Sequence, residues 1–299
     1  MSEPRELSRA GAYALMHLTV FLWGFTAILG RVITIDALPL VWYRLVISTA
    51  VLAGVLRWRG LPLGIPRGDA LRYAVAGVSI GLHWACFFAA IKIAGVPTAV
   101  LCLAAVTFFT ALVEPIVFRR RVAPHELLIG VLVVAGIGLI TTLEVKVNPL
   151  GLTLGLASAL FAAAFGSMNG RLAHRDRGER VMLYELAAAT VTVTVAFAIW
   201  PHAFVLPWQI SAIDALLITA LAVVCTVLAQ LWTLRVLRVL SPFTVAVSVN
   251  LEPVYSLLMV LALFPASESP SWRFYAGTAV LIGLVALNAR LKRPTATLA

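Results

Sequence analysis

The sequence predicts an all-α integral membrane protein: ten transmembrane helices arranged as two inverted five-helix repeats. Three observations predict it. The 299 residues are 62% hydrophobic and only 12% charged, against about one half and about 25% in soluble domains. The apolar residues gather in runs close to the ~20 residues that a helix needs to cross a bilayer. The basic residues, finally, alternate from one loop to the next. Composition alone excludes a soluble enzyme or a nucleic-acid-binding domain. The net charge of +10 could suggest nucleic acid, but the charges sit in short clusters between apolar runs.

The runs lie near 10–30, 37–56, 73–91, 97–118, 127–143, 149–170, 181–200, 215–234, 242–265 and 274–290. No backbone polar group can go unpaired in hydrocarbon, so each run reads as a helix. The strict polar–apolar alternation of a membrane barrel strand is missing from them. What remains is tails and short loops, with no soluble domain, linker or low-complexity tract. The first run, about 21 residues long, lacks a clear small-residue cleavage site and is followed by further spans, so it reads as a helix and not as a cleaved signal peptide.

The Lys and Arg distribution tests the count independently. With a cytoplasmic N-terminus, the inward tails and loops hold 18 of the 23 basic residues, including Arg57, Arg59, Arg119, Arg120, Arg121, Arg171, Arg175, Arg177 and Arg180. The outward loops hold Arg31, Lys92, Lys146 and Arg273, and Arg44 lies inside a span. A miscounted helix would invert every later loop and erase this bias. The expected location is the cell (inner) membrane, multi-pass, with both termini cytoplasmic.

Cys86, Cys102 and Cys225 all fall within spans and form no CxxC pair, so they read as small packing residues and not as a disulfide or metal framework. The halves 1–147 and 148–299 are related. Residues 11–31 lie over 151–171, sharing Gly11/Gly151, Phe21/Phe161, Phe25/Phe165 and a closing Gly-Arg. Tyr43-Arg44 and Tyr184-Glu185 link the second and seventh runs more weakly, and Glu114-Pro115 and Glu252-Pro253 occur in the fourth and ninth. Their register is ambiguous, since aligning Pro97 with Pro242 leaves the Glu-Pro pairs seven residues apart. Five is an odd number, so the second copy enters the membrane from the opposite side. Inverted repeats of this kind are typical of secondary transporters, with substrate sites near midplane between the halves.

Phe21-Leu22-Trp23-Gly24 in the first helix, Arg44 in the second after Pro39, and a ninth helix with Pro253 that ends near Glu268 resemble the drug/metabolite transporter superfamily, EamA type. The resemblance covers nearly the whole chain and includes the five-plus-five architecture. It implies export or uptake of small metabolites, often amino acids, through a cavity lined by helices one, three, four, six, eight and nine. The chain departs from the family pattern at Phe108, where the fourth helix usually has a proline. It departs again at Arg119-Arg120-Arg121, where an acidic residue is expected, and in a sixth helix without the usual tryptophan.

Ionisable side chains inside a bilayer cost about 2.5 to 3.5 kcal/mol at a helix centre, so four stand out. Glu252 lies near the middle of its run, with Ser248 and Tyr255 on the same helical face and Asn250 close by. It is either a proton site or counter-charge for a cationic substrate, or a carboxylate hydrogen-bonded to a neighbouring helix. Glu114, about 7 Å deep, reads as a structural partner of an inner arginine. Glu185 reads as interfacial or ion-paired. Arg44, about 10 Å from the outer surface, reads as a scaffold or gate residue. His83, at the centre of the third run beside Trp84, is either a proton-exchanging or substrate-bonding group or a neutral histidine satisfied by a backbone carbonyl. Trp23, Trp84, Trp232 and Tyr255 can form an aromatic wall suited to rings or ammonium groups. Ser158, Asn169, Thr226, Gln230 and Asn250 add neutral hydrogen-bonding groups. Gly77/Gly81 and Gly151/Gly155 have the spacing that permits close helix approach.

No phosphate-binding loop, GxSxG elbow or HExxH pair is present in the sequence. The expected activity is therefore secondary transport and not an enzymatic one, with no cofactor and no metal. The candidate substrate-binding or coupling residues are Glu252, His83, Trp84, Trp23, Tyr255, Ser248, Asn250 and Gln230, with Arg44, Glu114 and Glu185 as structural or gate charges. The expected partners are a small-molecule substrate, an amino acid or amphipathic amine, and membrane lipid, with no nucleic acid, in a monomer or homodimer. A sugar, nucleotide-sugar or organic-cation carrier on the same scaffold is the alternative. A membrane-embedded enzyme or lipid scramblase is the rival of a different class.

Overall fold

The computed structural model of the protein describes residues 7–65, 68–144, 148–199, 204–252 and 254–256, together with 259, 276, 279, 280 and 283. Among these residues the chain forms nine helices and no strand. They are α1 (Arg9–Val32), α2 (Ala37–Trp58), α3 (Ala70–Val96), α4 (Thr98–Phe118), α5 (Pro124–Glu144), α6 (Pro149–Leu172), α7 (Gly178–Ile199), α8 (Ala212–Val236) and α9 (Pro242–Val249). All but α5 and α9 are long and apolar enough among the described residues to cross a membrane, seven in number. The chain is a multi-pass membrane protein. Most of the expected tenth helix at 274–290, most of the later part of the ninth with Pro253 and Glu268, and the charges Arg5, Arg67, Lys146, Arg273, Arg290, Lys292 and Arg293 lie outside the described residues.

Local chemistry sets the helix boundaries. Ser8 caps α1 by accepting from the Gly11 N–H, and Asn148 caps α6 by accepting from Leu150 and Gly151. Ser211 and Ser241 do the same for α8 and α9, each satisfying donors that a helix start leaves open. Near the end of α3 the chain turns at Gly95 with φ 82°, a left-handed angle that favours glycine. One feature was not readable in advance: α8 contains a π-helical turn over Val223–Leu228, a deviation found often at functional sites.

The helices pack through small residues, as the glycine pairs led us to expect. A Cβ on Gly77 would stand 2.4 Å from the Glu185 carbonyl oxygen and 2.6 Å from the Ala188 Cβ, so α3 and α7 touch backbone to backbone. A Cβ on Gly151 would meet Ala94 at 2.3 Å, and one on Gly155 would meet Cys102 at 2.7 Å. With no hydrophobic drive between helices in lipid, such close approach is what holds a membrane bundle together. The crossings run α3 with α6 and α7, α8 with α1 and α2, α2 with α7, and α4 with α9.

The two ends of the bundle are tied in matching ways. At one end the Lys92 ammonium donates to the Ile33 carbonyl at 2.5 Å, where α1 stops, and Asp214 accepts from the Thr34 N–H at 3.0 Å and hydroxyl at 2.5 Å. At the other end Arg238 donates to the Ala173 carbonyl at 2.8 Å, where α6 stops, and Asp69 accepts from Arg175 at 3.5 Å. There Asp176 also gathers the Tyr73 hydroxyl at 2.8 Å, the Arg177 N–H and the Arg180 guanidinium. Burial works against the charge on Asp176, but those donors outweigh it and hold the carboxyl below the ordinary aspartate value.

Candidate functional site

Between these two tied ends lies a cavity of about 110 Å³. Its wall is mostly apolar and aromatic, with Trp23 from α1, Trp84 and Phe87 from α3, and Phe165 from α6. Into it the bundle brings Arg44, His83, Asn169, Gln230 and Glu252. Seven of the nine helices, α1, α2, α3, α4, α6, α8 and α9, border it, together with the residue Glu252 that follows α9. A few polar groups converging in an apolar pocket is the usual form of a small-molecule site.

Arg44 is 1% exposed. Its Nε donates to the Thr226 hydroxyl at 2.6 Å, and its guanidinium carbon sits 3.8 Å from the Trp84 ring centroid. Thr226 in turn donates to the Leu221 carbonyl, five residues back and 2.8 Å away. That bond commits the hydroxyl proton and leaves its lone pair for Arg44. The π turn of α8 therefore builds the seat of the arginine, and Ser48, one turn further along α2, docks on the same turn through the Ala222 carbonyl at 3.0 Å. Arg44 Nη1 has no hydrogen-bond partner among the described residues.

His83 is fixed by α6. Its Nδ1 lies 3.0 Å from the Ser158 carbonyl oxygen and 2.8 Å from the Ser158 hydroxyl. A carbonyl only accepts, so Nδ1 carries the proton in this pairing and Nε2 is left as the ring's acceptor. Glu252 is 4% exposed and follows the end of α9 at Val249 by three residues. Arg44 and Glu252 border one cavity, yet no ion pair joins them.

The remaining expected site residues lie elsewhere. Ser248 donates to the Thr244 carbonyl at 3.0 Å within its own helix, and Asn250 donates to Thr107 at 3.0 Å, tying α9 to α4. The Tyr255 hydroxyl lies 3.2 Å from His17 on α1. None of the three borders the cavity. The helix stops at Val249 and turns at Asn250 and Leu251 before Glu252, and the face turned to the cavity carries Val245, Val249 and Glu252. Glu114 accepts from the Phe243 N–H at 2.8 Å, at the start of α9, and from Arg120 at 3.2 Å.

Glu185 differs from its expected interfacial or ion-paired setting. It is 0% exposed, and its one printed bond is with the Asn169 amide, a long 3.4 Å. Its other oxygen has no hydrogen-bond partner among the described residues. Sequence reasoning missed Phe165 and Gly166 as cavity residues, although Phe165 repeats Phe25 and was visible in the alignment of the halves.

The chain has known likenesses. Residues 10–142 match the model of the EamA-like transporter family. A solved crystal structure superposes with a TM-score of 0.72 at 18% identity, covering 95% of this chain and 99% of that one, so the two share a fold. No curated protein matches the sequence. The matched family is one of membrane transporters for small molecules.

Proposed function

Because residues 10–142 match the model of the EamA-like transporter family, we propose that the chain is a secondary transporter of a small organic metabolite, an amino acid or related amphipathic amine, working by alternating access. The observation that carries this reading is the central cavity, in which Glu252 and His83 present acceptors within an aromatic wall. An ammonium group finds in it a carboxylate, a ring nitrogen and the faces of Trp23 and Trp84. Outward movement is the direction that the family likeness favours.

The reading includes two inverted repeats, 1–147 and 148–299, and the crossings support it. Exchanging each helix for the one five places on turns α3 with α6 into α8 with α1, and α3 with α7 into α8 with α2. All four crossings occur. The end ties exchange likewise: Lys92 on the Ile33 carbonyl corresponds to Arg238 on the Ala173 carbonyl. Such a scaffold has two equivalent ways to open, one at each end, around a fixed site. The Lys and Arg bias places the N-terminus and the α6–α7 tie on the cytoplasmic face of the cell membrane.

Glu252 is also the proposed coupling group, with His83 and Arg44 as the ionisable neighbours around the same cavity. The test is flux of a labelled metabolite panel into liposomes holding the purified protein, with and without a pH gradient. The reading expects flux of an amino acid or amine that the gradient drives, with Glu252→Gln removing the drive. Flux unchanged by Glu252→Gln would remove proton coupling, and no flux of any metabolite would remove the transporter reading.

A further inference from the structure

We infer that Arg44 is the carboxylate anchor of the substrate, so that the cavity selects zwitterions over simple amines. The inference rests on the transport reading above and names the substrate class of the same cavity more narrowly.

A permanent cation buried in the membrane interior is tolerated where something offsets it. The protein offers Arg44 a hydroxyl on one nitrogen and an indole face, and neither carries a full negative charge. Both partners instead fix the direction of the group. Thr226 takes Nε, and Trp84 takes one face of the plane. What is left is the far edge of the guanidinium, where the buried Nη1 has no hydrogen-bond partner among the described residues. That edge is where a guanidinium binds a carboxylate. The arrangement is a positioned donor and not a floating charge, and the π turn of α8 exists at the point where it is positioned.

Glu252 borders the same cavity and acts on Arg44 through space, with no salt bridge between the two. A molecule with an anionic and a cationic end satisfies both, whereas a plain amine leaves Arg44 unmatched. Among the described residues that border the cavity, Arg44 is the one permanent cation. One guanidinium suits a single carboxylate better than a phosphate dianion. The aromatic wall takes the side chain.

The experiment pairs each of the twenty standard amino acids with its amide, which keeps the ammonium and loses the carboxylate. Ligand-induced thermal stabilisation of the purified full-length protein reads the affinity of each. At least one amino acid is expected to bind tenfold or more tighter than its amide. Arg44→Gln is expected to erase that difference, and Arg44→Lys to retain part of it, since it keeps the charge and loses the fork. Thr226→Val, which leaves the guanidinium but frees its Nε, lowers amino-acid affinity severalfold and leaves amide affinity alone, and it serves where Arg44→Gln fails to fold. An amide bound as well as its acid, or a preference that survives Arg44→Gln, overturns the anchor while leaving a transporter of amines. Liposome flux of some metabolite with no amino acid bound also overturns the anchor alone. Flux of nothing at all overturns the transport reading beneath it.

Discussion

Arg44 and Glu185 follow tyrosines at matching places in α2 and α7, and the bundle treats them in opposite ways. Around Arg44 the crossing with α8 is opened by a π turn, and the guanidinium reaches a cavity. Around Glu185 the crossing with α3 is shut by Gly77 and Gly81, and the carboxylate stands behind Asn169, away from that cavity. Two related corners of one scaffold have thus become a charged wall and a sealed joint. The difference lies in the partner helix. Glycine lets α7 press on backbone, while the π turn turns a hydroxyl toward Arg44.

The sharpest way to break this contrast is to remove both charges by near-isosteric change. Arg44→Gln should lower amino-acid affinity tenfold or more, a loss of about 1.4 kcal/mol or above. Glu185→Gln should leave it within about threefold, since no opposing charge is lost. Binding titrations of both variants check this, and equal losses would erase the distinction. Gly77→Val comes next. Its methyl groups would meet backbone that cannot yield, so a cost of about 1–3 kcal/mol in stability is expected, read as a lowered melting temperature. The effect falls on folding and not on the ligand preference of the protein that does fold.

Trp84→Leu removes the indole beneath Arg44 and keeps an apolar filler. A loss of about 0.5–2 kcal/mol in carboxylate binding is expected, and amide binding should hardly change. The smallest effect concerns the end tied by Asp176. Its carboxyl is held below the ordinary value by the donors of Arg180, Tyr73 and Arg177, which outweigh burial. A group depressed on folding stabilises above its unfolded pKa of ~3.9 and loses that contribution as pH falls through its folded value. Wild type should therefore melt a few degrees above Asp176→Asn at pH 7, with the gap closing towards acid pH. A gap that widened in acid would contradict the assignment.

Much of the fold was legible because each span is a long run of one solvent preference. Gly95 and the capping serines mark the boundaries that the runs leave vague. Within the site, Glu252, His83, Trp84, Trp23 and Gln230 were legible as polar or aromatic residues deep in apolar runs, and all five border the cavity. Ser248, Asn250 and Tyr255 do not border it, since the face turned to the cavity carries Val245, Val249 and Glu252 instead. Arg44 was seen to need a partner, and an acidic one was sought. Its actual partners are a hydroxyl 182 residues away and an indole on a third helix, contacts that no local pattern encodes. The π turn that presents Thr226 has no signature in the sequence.

The central claim is that solute passes through the Arg44–Glu252 cavity. Gly166 tests it most directly, because it borders the cavity and a Cβ placed there meets nothing within 4 Å. Gly166→Cys should fold and carry labelled amino acid into liposomes within about threefold of the wild-type rate. Reaction with a bulky maleimide should then stop flux, excess substrate should slow that reaction, and the same reagent should leave wild-type flux, with its native cysteines, intact. Full flux through the labelled protein would contradict the account.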